Sequence, residues 1–178
     1  NQFSKDGTTS LSGIEFTKDG SLAAYLISEG GSDWRKAITI KADDQEVLED
    51  TLTNIKFSGL AWKGKEGFYY SSYDKPEEGS QLSGMTQYHK LYFHKLGTSQ
   101  SEDRLIFGGS EMPRRYVQGY VTEDERFLVI AAANSTTGNE LYIQDLSKPG
   151  SEIVKVVDNF DNDHYVIDNE GSVLLIST

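Results

Sequence analysis

The chain has 178 residues, 37% of them hydrophobic and 25% charged, enough for one domain with a real core and too apolar for disorder. A formal net charge of −11, from 28 acidic and 17 basic residues, argues against a nucleic-acid partner, which needs clustered Lys and Arg. There is no cysteine, so disulfides and thiolate metal sites are excluded, and no apolar run approaches the ~20 residues of a membrane helix.

Ten Tyr, eight Phe and many Val, Ile and Thr residues favour strands, and 17 glycines against three prolines suit frequent tight turns. Residues 1–12 are polar, with a turn at Lys5-Asp6-Gly7. Residues 13–16 alternate as a half-buried strand, Lys18-Asp19-Gly20 reads as a hairpin turn, and 22–27 reads as a strand buried on both faces. Glu29-Gly30-Gly31-Ser32 turns the chain into a third strand over 34–41, and a short edge piece follows at 47–50. The cycle then repeats. Strands are expected at 57–62, 68–73, 90–95 and 104–107, and again at 117–121, 127–133, 140–146 and 154–157. A last cycle opens at 163–167, turns at Asp168-Asn169-Glu170-Gly171 and stops within 173–177.

Aligning the first apolar residue after each acidic turn gives Leu22, Phe68, Phe127 and Val173, spaced 46, 59 and 46 residues apart. A period near 46 fits a β-propeller, at ~40–50 residues per four-stranded blade. The expected fold is therefore all-β, a partial propeller with blades at roughly 13–50, 55–107 and 117–157 and an incomplete one at 163–178. A β-sandwich would share the strand density without requiring the repeat. The longer spacing contains a polar insertion over 74–87, between the second and third strands of the second blade. Neither end carries a start or a tail, and the chain reads as a segment of a larger protein.

No catalytic set stands out, and no cofactor or metal is implied. Ser110 follows Gly108-Gly109 but lacks the second glycine of a nucleophile elbow. His89 and His94 are five apart, which suits neither a helical nor a same-face strand metal pair, and with His164 they read as structural or surface residues. Asp158, Asp161 and Asp163 lack the glycine and distal Glu of a calcium loop and read as a solvated turn. In the turn ending Asp33-Trp34, Asp33 can accept from turn amides and Trp34 offers an indole N–H on a large apolar body. On pattern alone these are a turn residue and a packed Trp, and Phe57, before Ser58-Gly59, is a core Phe.

Several collinear runs nevertheless resemble the prolyl oligopeptidase family. They are Gly31-Ser32-Asp33-Trp34, Ile55-Lys56-Phe57-Ser58-Gly59-Leu60-Ala61-Trp62, the run over 89–98 followed by Ser101-Glu102-Asp103, and Val157-Asp158-Asn159-Phe160 leading to Tyr165-Val166. The resemblance implies about three to four blades of a seven-bladed propeller that caps a separate α/β-hydrolase domain. That domain would carry a Ser-His-Asp triad and cleave short peptides after proline. None of the triad would lie in this chain, which alone is expected to be inactive and, as an open arc with exposed strand edges, to self-associate. The implied partners are proline-containing short peptides and the hydrolase domain. Phe57 and Ile106 match positions lining the substrate's third subsite, and Asp33 and Trp34 match a turn facing the interdomain cavity, while Met85 approaches the same subsite. The insertion over 74–87 matches a loop implicated in substrate entry. Two other readings stay open: a related oligopeptidase with different specificity, such as one cleaving after basic residues, and a non-enzymatic propeller that binds partners. The compartment, cytoplasmic or periplasmic, is not fixed by the residues.

Overall fold

In the computed structural model, residues 5, 7–74 and 87–178 are described. Their regular structure is thirteen strands and one 3-10 turn, Gln100–Glu102. The strands are β1 (Thr9–Phe16), β2 (Leu22–Glu29), β3 (Arg35–Lys41), β4 (Val47–Lys63), β5 (Gly67–Ser72), β6 (Lys90–Lys95) and β7 (Arg104–Gly108). They continue as β8 (Tyr116–Val121), β9 (Phe127–Ala133), β10 (Asn139–Asp145), β11 (Val154–Val157), β12 (Tyr165–Glu170) and β13 (Val173–Ser177). Every pairing is antiparallel between neighbours in sequence, in sheets of order β1 to β7, β11-β10-β9-β8 and β12-β13.

The seven-stranded sheet is two meanders sharing one strand. The first half of β4 pairs with β3, as Leu52 opposite Ala37, and the second half pairs with β5, as Trp62 opposite Phe68. Ile55 stands at the join, opposite both Arg35 and Ser72. The sequence reading left 51–56 as a connector between separate strands. The chain instead stays extended there, because Leu52 and Ile55 bury fully between the two meanders. The change of direction is absorbed by Asn54 and Phe57, at φ 58° and 52°. The first strand also begins earlier than expected, at Thr9 instead of Gly13. We take the four meanders as the first to fourth blades, the last with two strands.

Each central strand divides its side chains between two cores, as the two-residue period of a strand requires. Leu60, Trp62, Phe68 and Tyr70 pack on Ala24, Leu26, Ala37 and Leu52 of the first blade. Their neighbours Ala61, Tyr69, Leu91 and Phe93 face the third blade, against Val117, Leu128, Ile130 and Tyr142. Phe127, Val129, Leu141 and Ile143 then face the fourth blade and Val166. Three cores in series between successive meanders make a stack of blades. A sandwich would have one core between two sheets. Exposed large apolar residues include Leu11, Ile14 and Phe16 on β1 and Ile167, Val173 and Leu175 on the last two strands.

Two of the acidic turns behind the repeat, in the first and third blades, are built alike. In the first blade Thr17 Oγ1 donates to Asp19 and accepts from the Leu22 N–H. In the third, Thr122 Oγ1 donates to Asp124 and accepts from the Phe127 N–H. The left-handed residue is Gly20 in one and Glu125 in the other, at φ 70° and 61°.

Candidate functional site

Phe57 opens the second half of β4, and its left-handed backbone breaks the strand's alternation there. The ring is 40% exposed, so the core position that pattern alone assigns to it is corrected. It makes edge-to-face contacts with Tyr73 and Tyr116, at centroid distances of 6.3 and 6.0 Å. Tyr73 takes a second edge contact from Trp34, at 6.5 Å. The Lys56 ammonium lies 5.1 Å from the Trp34 ring centre and 5.2 Å from that of Phe57. It also lies 3.9 Å from the Asp33 carboxylate. Three of the five residues singled out in the sequence, Asp33, Trp34 and Phe57, are thus gathered around Lys56 and Tyr73. Neither gathering residue stood out in the sequence, where Lys56 falls in a polar connector and Tyr73 at the end of an expected strand.

The turn that presents Asp33 depends on Gly30 and Gly31, both left-handed at φ 61° and 72°. The Trp34 N–H donates to Ser32 Oγ at 3.1 Å, and Ser32 O accepts from Ser28 Oγ at 2.6 Å. Ser32 thereby answers the turn amide that the sequence reading offered to Asp33, whose side chain is 73% exposed and pairs with Lys56. Ile106 lies elsewhere. It occupies the register irregularity of β7, between Leu105 and Phe107, and packs against the core between the second and third blades. Met85 and residues 75–86 of the insertion lie outside the described residues.

Beneath the aromatic group sits His89, fully buried and stacked on Tyr73 at 4.4 Å. Its Nδ1 accepts from the Val117 N–H at 2.9 Å, so the ring proton is on Nε2, which donates to the Lys56 carbonyl at 3.0 Å. Burial pushes its pKa down to about 4, against the raising effect of the bond to Lys56. One neutral imidazole therefore ties the backbone of the candidate wall to the third blade.

His94 is equally buried but held between two carboxylates. Nδ1 faces Asp103 at 2.7 Å and Nε2 faces Asp50 at 3.2 Å. Burial alone would lower its pKa; the bonds and charges of Asp103 and Asp50 overcome this and hold it above the ordinary value. With both nitrogens taken by acids, His94 has none left to activate a nucleophile. Tyr70 Oη donates to Asp103 at 2.7 Å, which helps keep the phenol protonated. The three histidines read in the sequence as structural or surface residues are buried, His164 included. Asp163, read as part of a solvated turn, accepts the Gly138 N–H at 2.6 Å.

Tyr116 also borders a cleft of about 220 Å³ shared with Tyr165, Ser135, Thr136 and Asn139. Tyr116 and Tyr165 open the first strands of the third and fourth blades, and Phe57 opens the corresponding half of β4. All three rings are exposed to 40% or more. They form a repeated aromatic feature at the start of corresponding strands in successive blades.

Residues 1–178 match the family described as prolyl oligopeptidase, N-terminal beta-propeller domain. The chain is 56% identical over its whole length to the prolyl endopeptidase of Elizabethkingia meningoseptica, covering 25% of that protein. It is 33% identical to prolyl oligopeptidase A of Amanita bisporigera, again over all of the chain and 26% of the relative. Among solved structures, prolyl oligopeptidase B from Galerina marginata bound to a 35mer hydrolysis and macrocyclization substrate superposes with a TM-score of 0.88 at 25% identity. The match covers 99% of this chain and 26% of that one. The chain thus spans about a quarter of the length of the relatives it matches.

Proposed function

The chain belongs to the prolyl oligopeptidase N-terminal β-propeller family, and from that premise we propose that it forms the substrate-side wall of a serine peptidase cleaving short peptides after proline. The chemistry resides in a Ser-His-Asp triad on an α/β-hydrolase domain of the same protein, against which this propeller packs. Phe57 lines the subsite for the third residue of the peptide, and Asp33 and Trp34 face the cavity between the domains. The wall and the insertion over 74–87 limit access to short, unfolded peptides.

The observation that carries this reading is the state of Phe57. A large aromatic is held in a left-handed conformation that is unfavourable for a non-glycine residue, and its ring stays partly in solvent with neighbours on its edges. Such strain at an exposed ring marks a site more than a core. A relative of the same propeller fold solved with a peptide substrate is consistent with a peptide-binding role for the whole protein.

The test is turnover of a chromogenic peptide ending in proline before the dye. The full-length protein is expected to release dye, and the 178-residue chain alone is expected to release none. Activity from the chain alone would overturn the assignment of chemistry to another domain. Phe57→Ala in the full-length enzyme should raise KM about tenfold for peptides reaching the third residue, the ~1.4 kcal/mol of one lost aromatic contact.

A further inference from the structure

We propose that Lys56 is a positioning and specificity-determining residue of this wall: its ammonium holds Phe57 and Trp34 in one surface and so sets the preference for peptides with an apolar side chain at the third residue. The inference rests on the substrate-wall reading above and deepens it.

Adjacent residues of a regular strand point to opposite faces, so Lys56 should point away from Phe57. The ladder between β4 and β5 is irregular between Ile55 and Leu60, and Phe57 is left-handed within that irregularity. The two side chains therefore converge, and the ammonium sits over the ring of the very next residue and over Trp34, each within the ~6 Å reach of a cation–π contact. Only 12% of the lysine side chain is exposed, so the charge acts in partly desolvated surroundings, where such contacts are strongest. Its carboxylate neighbour, Asp33, is 3.9 Å away and 73% exposed, so solvent screens that pair more than it screens the contacts to the rings. The Lys56 backbone is fixed independently, through its carbonyl and the buried imidazole of His89.

This arrangement has a directional consequence. Phe57 meets Tyr73 and Tyr116 in T-shaped contacts and the ammonium lies over its ring, so the ring has little freedom to turn. A peptide meets a preset apolar surface and does not have to order it on binding, which favours affinity. Without the charge, the ring keeps its area and loses its fixed orientation.

The experiment uses the full-length enzyme with two chromogenic peptides, one ending before the third residue and one carrying Phe there. The readout is the ratio of kcat/KM, long over short. Lys56→Met, which keeps the length and apolar stem, is expected to lower that ratio about tenfold, with the change in KM for the long peptide. Lys56→Arg, which retains a cation able to stack on the rings, is expected to keep it within about threefold. An unchanged ratio in Lys56→Met overturns the proposal. So does an equal loss on both peptides, which would mean a purely structural role. A wild-type enzyme that cleaves neither peptide instead overturns the substrate-wall reading, and this inference with it.

Discussion

The two junctions flanking the second blade each hang on one buried histidine, and they use it in opposite ways. Towards the first blade, His94 sits between Asp50 and Asp103, and the carboxylates favour its charged form. Towards the third blade, His89 accepts a backbone N–H and donates to a backbone carbonyl, and burial keeps it neutral. Residue type does not decide the protonation state; the partners do. An imidazole between two acids is an ionic clasp, whereas one between an N–H and a C=O stands in for a peptide group between two strands that do not pair.

Removing each clasp separates the two cases. His94→Ala leaves Asp50 and Asp103 buried without their shared partner, and stripping one member from a buried ionic group costs about 3–5 kcal/mol. His89→Ala orphans one N–H and one carbonyl and opens a cavity beneath Tyr73, for about 2–4 kcal/mol. Urea denaturation followed by circular dichroism should rank His94→Ala as the more damaging. The reverse order would mean that the acids find other partners once the imidazole is gone.

The pH dependence of stability sharpens the contrast, because the two signs are opposite. His89 has a folded pKa of about 4 against 6.5 for the free side chain, so between these values the unfolded chain binds more protons. Stability from this group is complete above pH 6.5 and is lost as pH falls towards 4. At ~1.4 kcal/mol per pH unit for a fully buried group, the loss is about 3 kcal/mol. His94 has a raised folded pKa, so its contribution is complete below pH 6.5 and is lost as pH rises through the folded value. The carboxylates of Asp124, Glu140 and Asp145 are lowered and act only further into acid. Measured midpoints for His89→Gln should therefore be flatter than wild type between pH 6.5 and 4. Those for His94→Gln should be flatter on the neutral-to-alkaline side. A wild-type acid slope retained in His89→Gln would remove the neutral imidazole from the account.

Much of the strand pattern was legible in the chain because its strands are short, rich in apolar and β-branched residues, and bounded by turns. Phe127–Ala133, Lys90–Lys95 and Val154–Val157 fall where alternation and turn residues put them. The continuity of β4 was hidden, since Thr51, Thr53, Asn54 and Lys56 read as a polar connector and only the partners of Leu52 and Ile55 reveal a strand. The histidine clasps were hidden for a different reason. Asp103 meets His94 across the β6–β7 hairpin, where Phe93 pairs with Arg104, but Asp50, 44 residues away, is brought in only by the neighbouring meander. Of the candidate wall, Phe57, Trp34 and Asp33 were visible through family likeness, but Lys56 was not. A lysine's reach over two rings depends on a break in strand alternation that no local pattern announces.

The smallest effect tests whether the first junction is ionic throughout or also uses peptide mimicry. The Gln100 amide accepts the Thr53 N–H at 3.0 Å and donates to the Thr53 carbonyl at 2.9 Å, as a neighbouring strand would. It also touches Tyr70, which bonds Asp103, so it borders the ionic clasp without carrying charge. Thr53 is only half-buried, and water can replace the lost partner. Gln100→Ala should then cost about 1 kcal/mol, the net worth of an ordinary hydrogen bond, at every pH. A cost that is instead larger at acid pH and shrinks as pH rises through the folded His94 value would show that Gln100 supports the charged His94 through Tyr70 and Asp103, and the first junction would be one coupled network.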